Sequence, residues 1–320
     1  MSSNLNNKKI VCLGGGIGTA NLIKGLSKYT KNITVVVSMA DDGGSAGRLR
    51  RLYDILPPGD IVSCMTAFCK NDKVSKLLTY RFPGNRYGKD NELPGQKLGN
   101  LIMVALYNQT RSFDKAISLF QEIFSIPGTI LPATLDKVHI SAITSEGKEI
   151  FGEEKIDLGK YNGERVLEKV SLHPEEVKAS DEVIKSLETA DVIIAGPGDL
   201  YTTTLPVLIV RGILGSIQKS KASKIFIVNV ANKPFETKGY NIPDYIDAVK
   251  KHLSVFPFET VIVNSNTANV IPKKYNYEYV DFGSAKKYKN VEFVKRDIVN
   301  EDFPLYHSPE KLAKAIIEKI

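Results

Sequence analysis

The chain has no tryptophan, four histidines and three cysteines among its 320 residues. Three cysteines cannot build a disulfide framework. Cys64 and Cys69 have no histidine nearby to complete a structural zinc site, and Cys12, inside an apolar run, serves as a small hydrophobe. A reducing compartment is the expected setting. The histidines, at 139, 173, 252 and 307, stand too far apart to read as a catalytic constellation. Long hydrophobic runs are also missing. The first, Ile10 to Leu13, is far too short for a membrane span or a signal-peptide core, and glycines end it at once. These absences predict a cytosolic chain with no membrane partner.

Neither sign of charge dominates. There are 43 basic and 36 acidic residues, a formal net charge of +7. The basic residues are scattered, and the densest stretch, Lys273 to Arg296, also carries Glu278, Asp281 and Glu292. No nucleic-acid partner is expected, although a mildly positive field favours a phosphorylated small molecule. A chain that is 42% hydrophobic and 25% charged has ample material for a core.

Apolar runs alternate with helical patterns, which predicts an α/β fold with a mostly parallel, open sheet and helices on both faces. Strands are read at Lys9 to Leu13, Ile33 to Ser38, Asp191 to Ala195, Lys224 to Val230 and Thr260 to Val263. Helices are read at Ala20 to Lys28, Ile61 to Ala67, Leu98 to Tyr107, Phe113 to Phe124, Val177 to Glu188, Val207 to Lys219, Ile242 to Leu253 and Pro309 to Ile320, the last capped by Ser308. From Ile130 the pattern shifts to short strands, with a hairpin across Ser145-Glu146-Gly147. We read residues 1–320 as one Rossmann-like domain carrying a small α+β insertion over 108–175.

Three glycine loops stand where strands end: Gly14-Gly15-Gly16-Ile17-Gly18-Thr19, Asp41-Asp42-Gly43-Gly44-Ser45-Ala46-Gly47-Arg48 and Gly196-Pro197-Gly198-Asp199-Leu200-Tyr201-Thr202. In an open parallel sheet such loops share one edge, where backbone amides and helix dipoles attract anions. A dinucleotide fingerprint is broken, because its last glycine place holds Thr19. A second glycine loop follows strand two where a nicotinamide enzyme usually has an acid, and no Walker-type phosphate loop occurs. Asp41 and Asp42 complicate phosphate binding, since a carboxylate roughly 4 Å away repels by about 4 kcal/mol at an effective dielectric of about 20. A divalent cation would relieve this. Asp42 with Asp60, at the Pro57-Pro58-Gly59-Asp60 turn, is the candidate Mg²⁺ pair; helix capping is the plainer use of Asp41 or Asp60.

The three loops, with Leu56-Pro57-Pro58-Gly59-Asp60-Ile61, Leu98-Gly99-Asn100-Leu101, Asn229 to Tyr240 and His307 to Ala313, resemble the bacterial gluconeogenesis factors, relatives of 2-phospho-L-lactate transferase. The likeness runs in order through nearly the whole chain. It implies a Rossmann-like fold and a regulatory role in carbon metabolism, cell shape and wall synthesis, with binding of a nucleotide sugar such as UDP-N-acetylglucosamine. The sister transferases use Mg²⁺, held by acids in the segments matching Asp42 and Asp60, to pass a phospholactyl group from a guanosine diphosphate ester to a deazaflavin alcohol. Carried over, Gly14, Gly15, Gly16, Gly18 and Thr19 hold phosphate, as do Gly196, Gly198, Asp199 and Thr202. Asp41, Asp42, Gly43, Gly44, Ser45 and Asn100 contact the ligand, and Asn229 and Asn264, at strand ends, read its polar parts. Arg48, with Arg50, is a candidate cationic contact; His307 is the one histidine inside a family motif, where it would act as a polarity switch.

Four departures stand out: Ile17 for threonine, Ala46 for serine, Gln96-Lys97-Leu98 for His-Asn-Phe, and Tyr306 for an arginine. Glu236-Thr237 is read as structural. The leading function is ligand sensing without catalytic residues or turnover; the rival is a Mg²⁺-dependent transferase. A homo-oligomer would bury exposed apolar helices.

Overall fold

The computed structural model describes residues 5–163, 166–285 and 288–320. β1 (Ile10–Gly14) is followed by α1 (Gly16–Leu26), β2 (Ile33–Val37), α2 (Gly44–Tyr53), α3 (Pro58–Phe68), α4 (Asp72–Thr79), α5 (Leu98–Thr110), α6 (Phe113–Ile123) and β3 (Thr129–Pro132). Next come β4 (His139–Thr144), β5 (Glu149–Phe151), α7 (Glu153–Asp157) and β6 (Leu167–His173). The chain continues with α8 (Asp181–Glu188), β7 (Val192–Ala195), a π-helical turn at Leu200–Thr204, α9 (Leu205–Leu208), α10 (Ile213–Lys219) and β8 (Ser223–Ile227). β9 (Ala231–Asn232), α11 (Ile242–Leu253), β10 (Thr260–Asn264), β11 (Glu278–Tyr279), β12 (Glu292–Arg296) and α12 (Pro309–Ile317) complete it.

Seven strands form one parallel sheet in the order β12-β10-β8-β7-β1-β2-β3. The central ones are short β-branched runs buried on both faces, so they show no polar alternation. From β1 the chain moves outward through β2 to β3, then returns to β7 on the other side of β1 and moves outward the opposite way. The chain leaves β1 and β7 in opposite directions, and this switch point opens a crevice at the carboxyl edge of the sheet. Right-handed crossovers running in opposite directions put helices on both faces, as the alternating pattern predicts.

The hairpin read across Ser145 to Gly147 is present as β4 paired antiparallel with β5, and β6 pairs with the other side of β4. Of the 108–175 span, α6 packs on α5, and β3 extends the main sheet beside β2. The small sheet is tied to α11. Val170 N–H donates to His252 Nε2 at 2.9 Å, and Tyr240 Oη donates to the Leu167 carbonyl at 2.8 Å.

Other readings needed correction. The second glycine loop ends at Gly43, since α2 already begins at Gly44, so Ser45 and Arg48 are helical. The single helix over Val207 to Lys219 is two, divided where Gly212 adopts a φ of +98°. The edge strand β12, with its charged sequence, was not read at all. Among the described residues no helix is long and apolar enough to cross a membrane.

α1 packs between α3 and α12. The approach to α12 is so close that a Cβ on Gly25 would stand 2.0 Å from the Pro309 carbonyl oxygen. Gly25→Ala is expected to cost about 1–3 kcal/mol, seen as a lower denaturant midpoint at unchanged slope.

Candidate functional site

The crevice holds a cavity of about 530 Å³, and four helices of eight residues or more begin at its wall: α1, α2, α3 and α5. Their N-caps are Gly15, Gly43, Pro57 and Lys97, none of which caps with its own side chain. The helices of eight residues or more that start elsewhere, α4, α6, α8, α11 and α12, have side-chain caps at Asn71, Ser112, Ser180, Asn241 and Ser308. N-termini without a side-chain cap from their own N-cap residues, each with the positive end of a helix dipole, are thus gathered at one place. Loop packing is tight there. A Cβ on Gly18 would stand 2.5 Å from the Pro197 carbonyl oxygen, so the β1 and β7 loops meet only because that residue has none.

Carboxylates meet these amides, one from the same loop and two from other segments. Asp60 accepts from the Gly16 amide, Asp41 from Gly43 N–H at 2.9 Å, and Glu154 from Gly44 N–H at 3.1 Å. Asp41 and Asp60 line the cavity and are half-buried. Burial, then the neighbouring Asp60, pushes Asp41 up to about 7. Burial raises Asp60 to about 6, against the opposing Gly16 amide and Lys97. Burial, then Asp41, also raises Glu153. This acid group holds its protons to higher pH than separate carboxylates would.

A second knot surrounds Lys233. Its ammonium pairs with Asp157, with Asp199 at 2.6 Å and with Glu236 at 3.3 Å. Burial alone would lower the lysine, but these three carboxylates outweigh it and raise it. Asp157, Asp199 and Glu236 have the spacing of metal ligands, and here the lysine ammonium supplies their cation. Glu236 also accepts from Tyr201 N–H at 3.1 Å and Thr202 Oγ1 at 2.7 Å, which fixes the π-helical turn. Its structural reading holds.

Tyr277, Tyr306 and Phe235 give the cavity an aromatic side, and Tyr306 stacks on Phe303 with ring centroids 5.2 Å apart. His307 is buried, and its Nε2–H donates to the Val228 carbonyl at 3.1 Å. Burial lowers it to about 4, so it stays neutral at physiological pH and cannot switch polarity there.

The model of the 2-phospho-L-lactate transferase CofD family matches residues 10–302. The gluconeogenesis factor of Bacillus subtilis is 35% identical over 316 residues, covering 97% of each chain. That of Halalkalibacterium halodurans is 32% identical, over 98% of this chain and 97% of its own. The chain belongs to the gluconeogenesis-factor family. The crystal structure of a UPF0052-family member from Bacillus halodurans superposes with a TM-score of 0.86 at 31% identity, covering 97% of this chain and 98% of that one.

Within this family member, the fold brings Gly15, Gly16, Gly18, Asp41, Gly43, Gly44, Ser45, Asp60, Asn100, Gly198, Asp199, Thr202 and Asn229 to the cavity. Others named from sequence do not line it. Thr19 Oγ1 instead accepts from Gly15 N–H at 2.9 Å and donates to the Pro197 carbonyl at 3.2 Å, and Gly14 and Gly196 lie behind the loops. Asp42 is turned away, accepting from Glu153 N–H at 3.2 Å and Glu154 N–H at 2.8 Å at the start of α7. The acid facing Asp60's side of the cavity is Asp41, which corrects the Asp42–Asp60 pair. Arg48 is buried and donates to the Asn85, Pro94 and Glu92 carbonyls, so it clamps the rim segment and does not line the cavity. Arg50 is likewise spent on the Asp41 and Val138 carbonyls. Asn264 sits two strands from the crevice, where its Oδ1 accepts from Asn266 N–H at 3.2 Å and Ile298 N–H at 3.3 Å.

Sequence reasoning missed Arg81, Arg86, Lys97 and Lys233 as cavity cations, and Glu153, Glu154 and Asp157 as its acids. The departure at Gln96-Lys97-Leu98 was a signal for Lys97, and Lys233 lies in the Asn229 to Tyr240 family segment; the rest lie in segments without a motif.

Two tests follow from the charges. A raised carboxyl pKa means that the native state binds more protons than the unfolded chain. Its contribution is most favourable near the ordinary value of 3.8 and declines as pH rises toward about 7. Asp41→Asn, which can still accept from Gly43, is expected to exceed the wild type in stability at pH 8 by on the order of 1–3 kcal/mol. Thermal melts should show that gap shrinking toward pH 4. Lys233→Met leaves three carboxylates without their cation and is expected to lose about 3–5 kcal/mol in denaturant titrations.

Proposed function

We propose that this chain is a cytosolic regulator of carbon metabolism, cell shape and wall synthesis that binds a nucleotide sugar of the UDP-N-acetylglucosamine type without turning it over. The supporting observation is the convergence of uncapped helix N-termini at the switch point of the sheet, in a cavity that also has an aromatic side. Its volume of about 530 Å³ suits a ligand of that size. The diphosphate takes the amides of the β1 and β7 loops, and Tyr277 and Tyr306 offer rings for the base or sugar. The gluconeogenesis-factor relatives support the regulatory part of this reading.

One observation favours a second reading, the Mg²⁺-dependent phospholactyl transferase. Asp41, raised by burial and by Asp60, and Asp60, raised by burial, form an oxygen-donor pair that a hard cation would fit. Bound there, Mg²⁺ would neutralise the acids and polarise a phosphoryl oxygen. This chain's own residues would hold the cation through Asp41 and Asp60 and orient the anion through Lys97 and the loop amides.

Thermal melts with UDP-N-acetylglucosamine, UDP and GDP, each with and without Mg²⁺, separate the readings. Saturating UDP-sugar at roughly a hundred times its dissociation constant should stabilise the native state by about 2.7 kcal/mol, and mass spectrometry should recover the ligand unchanged. No shift with any uridine nucleotide sinks the sensor. A new phosphodiester product from the deazaflavin alcohol and its activated partner establishes the transferase.

A further inference from the structure

The part of the cavity built by segments following β2 differs in chemistry from the part following β7 and β8. Arg81, Arg86 and Lys97 line it with Ser45, Ser63 and Asn100. Lys97 lies deepest of the three cations, and its Nζ donates to Ser63 Oγ at 3.0 Å. Arg81 and Arg86 are exposed at the mouth. Arg81 Nη1 donates to Ser45 Oγ at 3.0 Å and to the Gly95 carbonyl at 2.7 Å. The Arg86 guanidinium lies over the start of α2, where a Cβ on Gly44 would stand 2.7 Å from its nitrogens.

Lys233 has three carboxylates, whereas none of these three cations is in an ion pair among the described residues. Burial, then Arg81, lowers the Lys97 ammonium despite the opposing Asp60. Asn100 is 1% exposed at the cavity wall, and its Oδ1 has no hydrogen-bond partner. Converging cations outside any ion pair among the described residues match a missing oxyanion, and the buried Asn100 Oδ1 beside them lacks a donor. A phosphoryl group supplies acceptors for the cations and hydroxyls and, on a protonated oxygen, a donor for Asn100.

We infer that Arg81, Arg86 and Lys97 form a second anion seat, which takes the phosphoryl group of a small phosphomonoester separately from the diphosphate of a nucleotide on the Tyr277–Tyr306 side. This rests on the nucleotide reading only for what fills the other side. Glu154 of α7, whose carboxylate accepts from Gly44 N–H at the start of α2 and pairs with Lys160, places an opposing charge beside this seat. It would repel an incoming phosphoryl group.

The test is calorimetric titration of the full chain with inorganic phosphate at fixed ionic strength, with and without saturating UDP, using chloride as the control anion. Phosphate is expected to bind in both conditions. Lys97→Met and Arg86→Gln should each weaken it roughly ten-fold or more, Lys97→Arg should retain it, and Glu154→Gln should tighten it. Circular dichroism of each variant confirms the fold. Competition between phosphate and UDP overturns the inference, as does equal binding by wild type and both charge-removing variants, or no binding by the wild type. Lys97-dependent phosphate binding in a protein that ignores UDP supports the seat and refutes the nucleotide reading.

Discussion

The architecture turns on carboxylates meeting helix N-termini that lack caps of their own. An uncapped N-terminus needs acceptors, and at the crevice these come from Asp60, Asp41 and Glu154 rather than from a local serine or asparagine. Each amide stabilises the ionised acid, while burial and neighbouring acids oppose ionisation. For Asp41 and Asp60 the opposition wins, and both pKa values rise. The cavity therefore combines donors that attract anions with acids that repel them. Protonation, a cation or displacement of an internal carboxylate can tip that balance.

The small sheet matters because of what it brings to the crevice. β4, β5 and β6 hold α7 above the carboxyl edge, and α7 supplies Glu153, Glu154 and Asp157 to the cavity. Asp42 caps α7 through two amides, and Arg50 ties the Asp41 carbonyl to that of Val138 just before β4. On the other side Lys233 pairs with Asp157 of α7 and Asp199 of the β7 loop. The unit outside the main sheet is thus fastened to both halves of the crevice by charged groups. Any ligand that alters those charges acts on the fastening as well.

Chemical division of the cavity follows from sheet order. Segments after β2 bring Arg81, Arg86 and Lys97, which form no ion pair among the described residues; segments after β7 and β8, with the chain's last third, bring tyrosines and a lysine already neutralised. Two kinds of chemistry meet at a switch point because the chain leaves it in opposite directions.

The alternation of β-branched runs, glycine loops and amphipathic stretches determined the parallel α/β fold and the edge of the sheet where a ligand site would lie, because those signals are local. The family motifs likewise marked most of the loop glycines that reach the cavity. Which acid of Asp41-Asp42 faces inward was not legible, since adjacent residues point in different directions and α7, over a hundred residues away, claims one of them. Nor was the burial of Arg48 and Arg50, whose partners are carbonyls of distant segments. Asn264 looked equivalent to Asn229 as a strand end, yet strand order places one at the crevice and the other beyond it. Tertiary structure decided these points because direction, partner and proximity are set by packing between segments, which no single stretch of sequence encodes.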